Sequence, residues 1–261
     1  YNSQLLYAKS DRPKIEYYYC FTAVLVDYII NTDKFSSVTY IDADVYFYNS
    51  MDDFFTYDAD IMILEHKICY AEQEKYGKYN VCFNYFRNTE NSRKCIKWWL
   101  NKTMQSTKTD DKNWGDQKYL DEFPLLFDKV KILDPKSICL APWNLSSYKI
   151  KNEHNLIFVD DHYLICYHFA RLIFVNDIFF IPARRIYISS YIANTIYRDY
   201  YYELIKAFQT VRKFDSNYKV SYTKRNLFGL ILSFLLGRVF YLHKSKIRRF
   251  GISIPIGYRK I

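Results

Sequence analysis

Apolar positions recur at Tyr17, Phe21, Val24, Leu25, Tyr28 and Ile29 within KIEYYYCFTAVLVDYIIN. Steps of three and four put them on one stripe and predict a helix over 14–31. SVTYI, from Ser37, then reads as a strand that ends on Asp42 and Asp44. MDDFFTY reads as one helical turn. DIMILEH (Asp60–His66) has the unbroken apolar run of a strand covered on both faces. YNVCFNYF (Tyr79–Phe86) is the next strand. A helix follows from Thr89 to about Met104, capped by Asn88, with Cys95, Trp98 and Trp99 on one side.

The polar stretch MQSTKTDDKNW predicts a loop. A short helix starts at Gly115 and stops at Pro124. VKIL and YLICYHF are further strands. Strands alternating with helices imply an α/β fold with a mostly parallel sheet. Beyond about Ile192 the pattern predicts basic helices, so residues 1–190 form one expected domain and 191–261 a helical, basic C-terminal extension. LFGLILSFLLG (Leu227–Gly237) is apolar on all sides but well short of the ~20 residues of a membrane span. It reads equally as a buried helix and as an interfacial one, flanked by Lys224, Arg225, Arg238, Lys244, Lys246, Arg248 and Arg249.

Composition sharpens this picture. The chain has 261 residues, half of them hydrophobic, enough for a sizeable core and unlike a disordered chain. Its 28 Tyr and 20 Phe reflect either a biased codon pool or sugar-stacking surfaces. Cys20, Cys69, Cys82, Cys95, Cys139 and Cys166 form no C-x-x-C pair, which argues against a zinc knuckle and for core thiols in a reducing, cytoplasmic compartment. Net charge is +9, yet residues 201–261 hold 13 Lys/Arg against 2 Asp/Glu, leaving 24 against 26 in the first 200. The basic character therefore belongs to the tail, which carries no nucleic-acid reading motif. Its expected partner is a membrane surface, placing the protein peripherally on the inner face of the cell membrane.

The chemistry concentrates at Asp42 and Asp44. Two unpaired carboxylates cost several kcal/mol out of water. At i and i+2 of a strand they face one way and can share a hard divalent cation. A strand's carboxyl end is also where α/β sheets bind ligands.

YIDADVYFYNS, KYNVCFNYFRN, WGDQKYLDEFP, LAPWNLSSY and YHF resemble, in that order, GT-A fold glycosyltransferases, the bacterial enzymes related to glycosyltransferase family 8. The likeness runs from about Leu5 to Leu172. It implies a nucleotide-diphosphate sugar donor, a glycan or lipid-linked acceptor, and cell-surface polysaccharide synthesis with retention at the anomeric carbon. It implies Mn²⁺ or Mg²⁺ on Asp42, Asp44 and His168. Asn80 matches the donor-sugar pocket, and Asp116 with Gln117 the pair beside the reacting carbon. Trp143 and Asn144 match the acceptor side, and Lys9 and Arg12 basic positions near the diphosphate. Two departures stand out. Cys82 replaces the glycine after Asn80, and Ala170-Arg171 replaces a His-Gly, with Arg171 a substitute diphosphate contact. The family's first strand and base pocket are expected to precede Tyr1.

Two alternatives compete. A haloacid-dehalogenase-like phosphatase also places D-x-D after an apolar strand, and FVDDHY (Asp160, Asp161) mimics its later acidic motif; Tyr46 breaks its D-x-D-x-T. A truncated, non-catalytic transferase docking on membrane is the other.

Overall fold

The computed structural model describes residues 2–110, 113–176, 178–220, 227–243 and 246–250. Contacts divide the chain into two compact units, Tyr1–Val45 with Asn49–Cys139, and Tyr46–Tyr48 with Leu140–Ile261. The expected boundary lay near residue 190; these units divide at Cys139/Leu140 instead.

The first unit opens with helices α1 (Asn2–Asp11) and α2 (Lys14–Ile30), then strand β1 (Ser37–Ile41). The chain enters β2 at Val45 (Val45–Phe47), makes a 3-10 turn at Asp52–Thr56 and forms β3 (Ile61–Glu65). Helix α3 (Tyr70–Tyr76), β4 (Tyr79–Arg87) and α4 (Glu90–Gln105) follow. A 3-10 segment (Gln117–Glu122), the single turn α5 (Phe123–Leu126) and β5 (Val130–Leu133) complete the unit. Pro124 opens α5 rather than closing the preceding helix. Its missing N–H is harmless in a first turn. Thr89 caps α4, accepting a hydrogen bond from Ser92 N. Asn88, the expected cap, donates to Phe35 O.

The sheet of this unit is ordered β1-β4-β3-β5. It is mixed, not mostly parallel: β4 runs antiparallel to both β1 and β3, and β3–β5 is the parallel pair. The segment around α3 returns the chain as a reversal beside β3 instead of crossing over. The register of β4 against β3 jumps between Ile63, opposite Asn84, and Leu64, opposite Asn80. The residues between form a bulge. Ala23, Val26 and Ile30 of α2, Ile61, Ile63 and Phe86 of the sheet, and Cys95, Ile96, Trp99 and Leu100 of α4 share one core. Each fully buried Val, Ile, Leu or Phe side chain among them contributes about 1.5–3 kcal/mol. All the cysteines are free, and Cys69 alone is exposed.

The second unit holds short strands and a long helix. β6 (Cys139–Leu140) begins in the first unit, and β7 (Ile150–Glu153), β8 (Leu156–Val159) and β9 (His162–Tyr163) form an antiparallel ribbon. β10 (Cys166–His168) lies in a sheet ordered β2-β10-β6. β11 (Ile173–Phe174) and β12 (Phe179–Ile181) precede α6 (Ser190–Ile192), which runs through a π-helical turn at Ala193–Tyr197 into α7 (Arg198–Phe214). α8 (Leu227–Leu235), β13 (Val239–His243) and β14 (Lys246–Phe250) close the described chain.

The tail is therefore not all helical, since β13 and β14 pair antiparallel. In KIRRF the buried Ile247 alternates with exposed Lys246 and Arg248, which suits a strand. Lys224, Arg225 and Lys244 lie outside the described residues. Much of the aromatic excess is core: Phe169 stacks on Tyr200 at 3.7 Å, and Phe180 on Tyr201 at 4.5 Å. Among the described residues, no helix is long and apolar enough to cross a membrane.

Candidate functional site

β1 delivers Asp42 to its place. The last pair of the β1–β4 ladder is Ile41 opposite Phe83, and Asp42 N–H then donates to Cys82 O at 3.1 Å. Val45 N–H donates back to Asp42 O at 3.2 Å. The acidic pair thus stands on a tight turn, not on a continuing strand as the alternation implied. A carboxylate oxygen of Asp42 and one of Asp44 lie within 4.8 Å of each other. Two neighbouring carboxylates suit a hard divalent cation such as Mn²⁺ or Mg²⁺. The residues present therefore fit the implied cation.

A second carboxyl lies behind Asp42. Tyr40 donates its phenol hydrogen to Asp42 Oδ1 at 2.8 Å. Burial first, and then the Asp42 charge, push the Tyr40 phenol far above its ordinary range. Asp116 is 1% exposed. Its pKa rises from 3.8 to about 7, through burial first; a Thr22 hydrogen bond opposes this and the Asp42 charge adds to it. Asp116 Oδ2 is buried without a hydrogen-bond partner. Tyr19 feels the same two carboxylates, and its phenol is raised by burial and then by Asp116 and Asp42. Gly115 explains how this cluster closes. Its φ is +56°, and a Cβ there would fall 2.5 Å from the Tyr19 ring. Only glycine meets both demands.

Gln117 serves the framework. Its Oε1 accepts from Val81 N at 3.1 Å and its Nε2 donates to Tyr76 O at 2.7 Å. Asn80 accepts from Cys82 N at 2.9 Å, and Asn84 donates to Val81 O at 2.7 Å. Together these amides tie the β4 bulge from which Asp42 hangs. Both ends of Gln117 meet backbone, so it positions the strand rather than standing beside a sugar carbon as the resemblance implied. Cys82 is buried and is not among the residues held at positive φ, so the bulge accommodates a side chain there.

Arg12 also differs from expectation. Its guanidinium donates to Thr103 O at 2.7 Å, to Thr107 Oγ1 at 2.8 Å and to Met104 O. It clamps the C-terminal carbonyls of α4, where a cation is favoured by the helix dipole. These bonds commit Arg12 to the fold rather than to a diphosphate. Lys9 is exposed on the last turn of α1.

In the second unit, His168 is 7% exposed at the end of β10. Trp143 meets it edge-to-face, 5.6 Å between ring centroids. Asn144 is 2% exposed and accepts from Ala141 N at 2.9 Å, which fixes the turn that carries Trp143. Arg171 is exposed at φ +67°, the left-handed backbone that the family's glycine would favour. The phosphatase-like acids sit in the β8–β9 turn. Asp160 accepts from Lys149 N at 2.8 Å, and Asp161 lies 2.7 Å from His162.

Residue-by-residue reading missed Tyr40, Thr22 and Tyr19. Thr22, a polar residue among the apolar ones of α2, was the one available signal.

No family model matches the chain. The uncharacterized proteins YfnF and YfnD of Bacillus subtilis (strain 168) are similar to it. YfnF is 26% identical over 194 residues, covering 68% of this chain and 64% of that protein. YfnD is 25% identical over 186 residues, covering 67% and 59%. The chain thus spans less than two thirds of the length of these relatives. Two solved structures also overlap it in part. One is a glycosyltransferase involved in the glycosylation of the major capsid of PBCV-1, with TM-score 0.41, 10% identity, 61% of this chain and 72% of that one. The other is the galactosyltransferase LgtC in complex with donor and acceptor sugar analogs, with TM-score 0.33, 17% identity and 44% of each chain.

Proposed function

We propose that this chain is a metal-dependent glycosyltransferase of the hexosyl type. It would move a sugar, with retention, from a nucleotide-diphosphate donor to a glycan or lipid-linked acceptor in cell-surface polysaccharide synthesis. The observation that carries this reading is the Asp42–Asp44 carboxylate pair, with His168 as the imidazole that would complete the ligand set. With that imidazole, Mn²⁺ would be the better match. When bound, the cation would offset charge on the departing diphosphate.

The chain's own residues supply the rest. The buried Asp116 offers a carboxyl oxygen without a protein partner, and it can accept a sugar hydroxyl or balance oxocarbenium charge. Thr22 and Tyr40 orient the two carboxyls. Gln117, Asn80 and Asn84 hold the bulge. Trp143 presents an apolar ring on the acceptor side, with Asn144 fixing its turn, and Arg171 and Lys9 remain the basic side chains offered to phosphate. The basic tail would hold the enzyme on the inner membrane face. Phe214, 88% exposed at the end of α7 beside Arg212 and Lys213, is the side chain that would enter lipid.

The test is thermal stabilisation by a panel of nucleoside diphosphates with and without Mn²⁺. The reading requires a shift that needs both ligands, which at a hundredfold excess over Kd amounts to about 2.7 kcal/mol. No shift with any pair removes it. Sedimentation with anionic liposomes, comparing Phe214→Ser with the parent chain, tests the membrane contact.

A further inference from the structure

Between the turn that follows Asn144 and the strap before α6, the second unit carries a half-open hollow of about 340 Å³. That volume falls within the range of small-molecule sites, about 300–1,000 Å³. Its wall is formed by Tyr148, Tyr187 and Tyr191 with Ser146 and Ser189, over a floor of leucine and isoleucine. We propose that this hollow binds a pyranose ring of the acceptor glycan.

The rings are fixed before any ligand arrives. Tyr187 accepts from Arg249 Nη2 at 2.9 Å, and the same guanidinium lies 4.6 Å from the Tyr187 ring centroid. Arg249 also donates to Ile188 O and Gly237 O, tying the strap to the β13–β14 hairpin. Tyr191 accepts from Asn152 N at 3.1 Å, which ties α6 to β7. Ser189 caps α6 by accepting from Ile192 N. Yet Tyr187 stays 43% exposed and Tyr191 52% exposed. Large apolar rings held at the rim of a hollow, with hydroxyls beside them, are costly to keep wet and suited to one ligand class. A pyranose has an apolar C–H face to lie on a tyrosine ring and equatorial hydroxyls to meet serines. Rigid tyrosines offer such contact at low entropic cost. The hollow begins at the residue after Asn144, which puts it on the stretch that the transferase reading assigns to the acceptor. Its role as an acceptor site rests on that reading, whereas sugar binding itself does not.

The experiment is saturation-transfer NMR on the whole chain with methyl glycosides of glucose, galactose and N-acetylglucosamine, without metal or nucleotide. At least one glycoside should receive saturation. Tyr191→Ala should weaken it about tenfold, the worth of one aromatic contact. Ser146→Trp, at an exposed position, should block the hollow while leaving the melting temperature unchanged. Transfer to none of the three glycosides overturns the proposal, as does undiminished transfer in Ser146→Trp. If Tyr191→Ala unfolds, Ser146→Trp alone decides. Glycoside binding here without any nucleotide–Mn²⁺ stabilisation would keep the sugar site and discard the transferase; the reverse pair of results would do the opposite.

Discussion

The β4 bulge and the carboxyl cluster meet at the neighbouring residues Gln117 and Asp116, yet use polarity in opposite ways. In the bulge, Gln117 satisfies Val81 N–H and Tyr76 C=O with its two amide ends, and Asn80 and Asn84 each bond backbone. One residue earlier, Asp116 is just as buried and keeps Oδ2 without a partner. Buried polar groups left unpaired are expensive. The bulge therefore builds the unit, and Asp116 retains an oxygen that a ligand can use.

The contrast can be broken most sharply at Asp44. Asp44→Ala should lower donor turnover about a thousandfold, roughly 4 kcal/mol of transition-state stabilisation, with unchanged melting. Near-normal steady-state rates would remove Asp44 from the metal site. Gln117→Ala should do the reverse and strike stability first. Leaving two backbone groups unpaired costs roughly 1–3 kcal/mol each, readable by urea denaturation. Gly115→Ala comes next, at about 1–3 kcal/mol, because the new methyl meets the Tyr19 ring at a positive φ. An unaltered midpoint would mean that the ring moves aside freely.

The smallest effect is a slope. Native Asp116 holds its proton up to about pH 7, whereas the unfolded chain releases it near 3.8. The native state is therefore the better proton binder between those values, and this group's contribution to stability is lost as pH rises through the window. The decline should approach about 1 kcal/mol per pH unit at its steepest. Thermal melts from pH 4 to 7 should show that decline in the parent chain and a flatter profile in Asp116→Asn. Identical profiles would show that Asp116 does not titrate there.

Long elements with a clean period were readable in the sequence. The periodicity of α2 and the apolar runs of β1, β3 and β4 leave little choice of type or place, but not of face: Leu25 and Tyr28 of the expected stripe are exposed, and Cys20, Ala23, Val26 and Ile30 are buried instead. Direction was not readable, because strand, short helix and strand describe a crossover and a reversal equally well. The β4 bulge, which depends on amides from distant segments, had no local signature. Helix α1 was missed because its apolar residues form no stripe, and Arg12 completes it only by reaching α4. At the site, D-x-D spacing pointed to Asp42 and Asp44, but the turn at Val45 gathers their side chains. Tyr40 and Thr22 join the cluster through contacts no motif encodes. The π-turn and the β13–β14 hairpin were likewise hidden, since arginines and lysines at alternate positions look like a solvated helix face.

Arg12 has a practical consequence. The opening helix looks like a polar leader that could be trimmed, but its last contact finishes a helix about ninety residues further on. Shortened versions beginning after Pro13 would expose the end of α4 to water and proteases, so such chains should be recovered in lower yield than ones that keep the first turns.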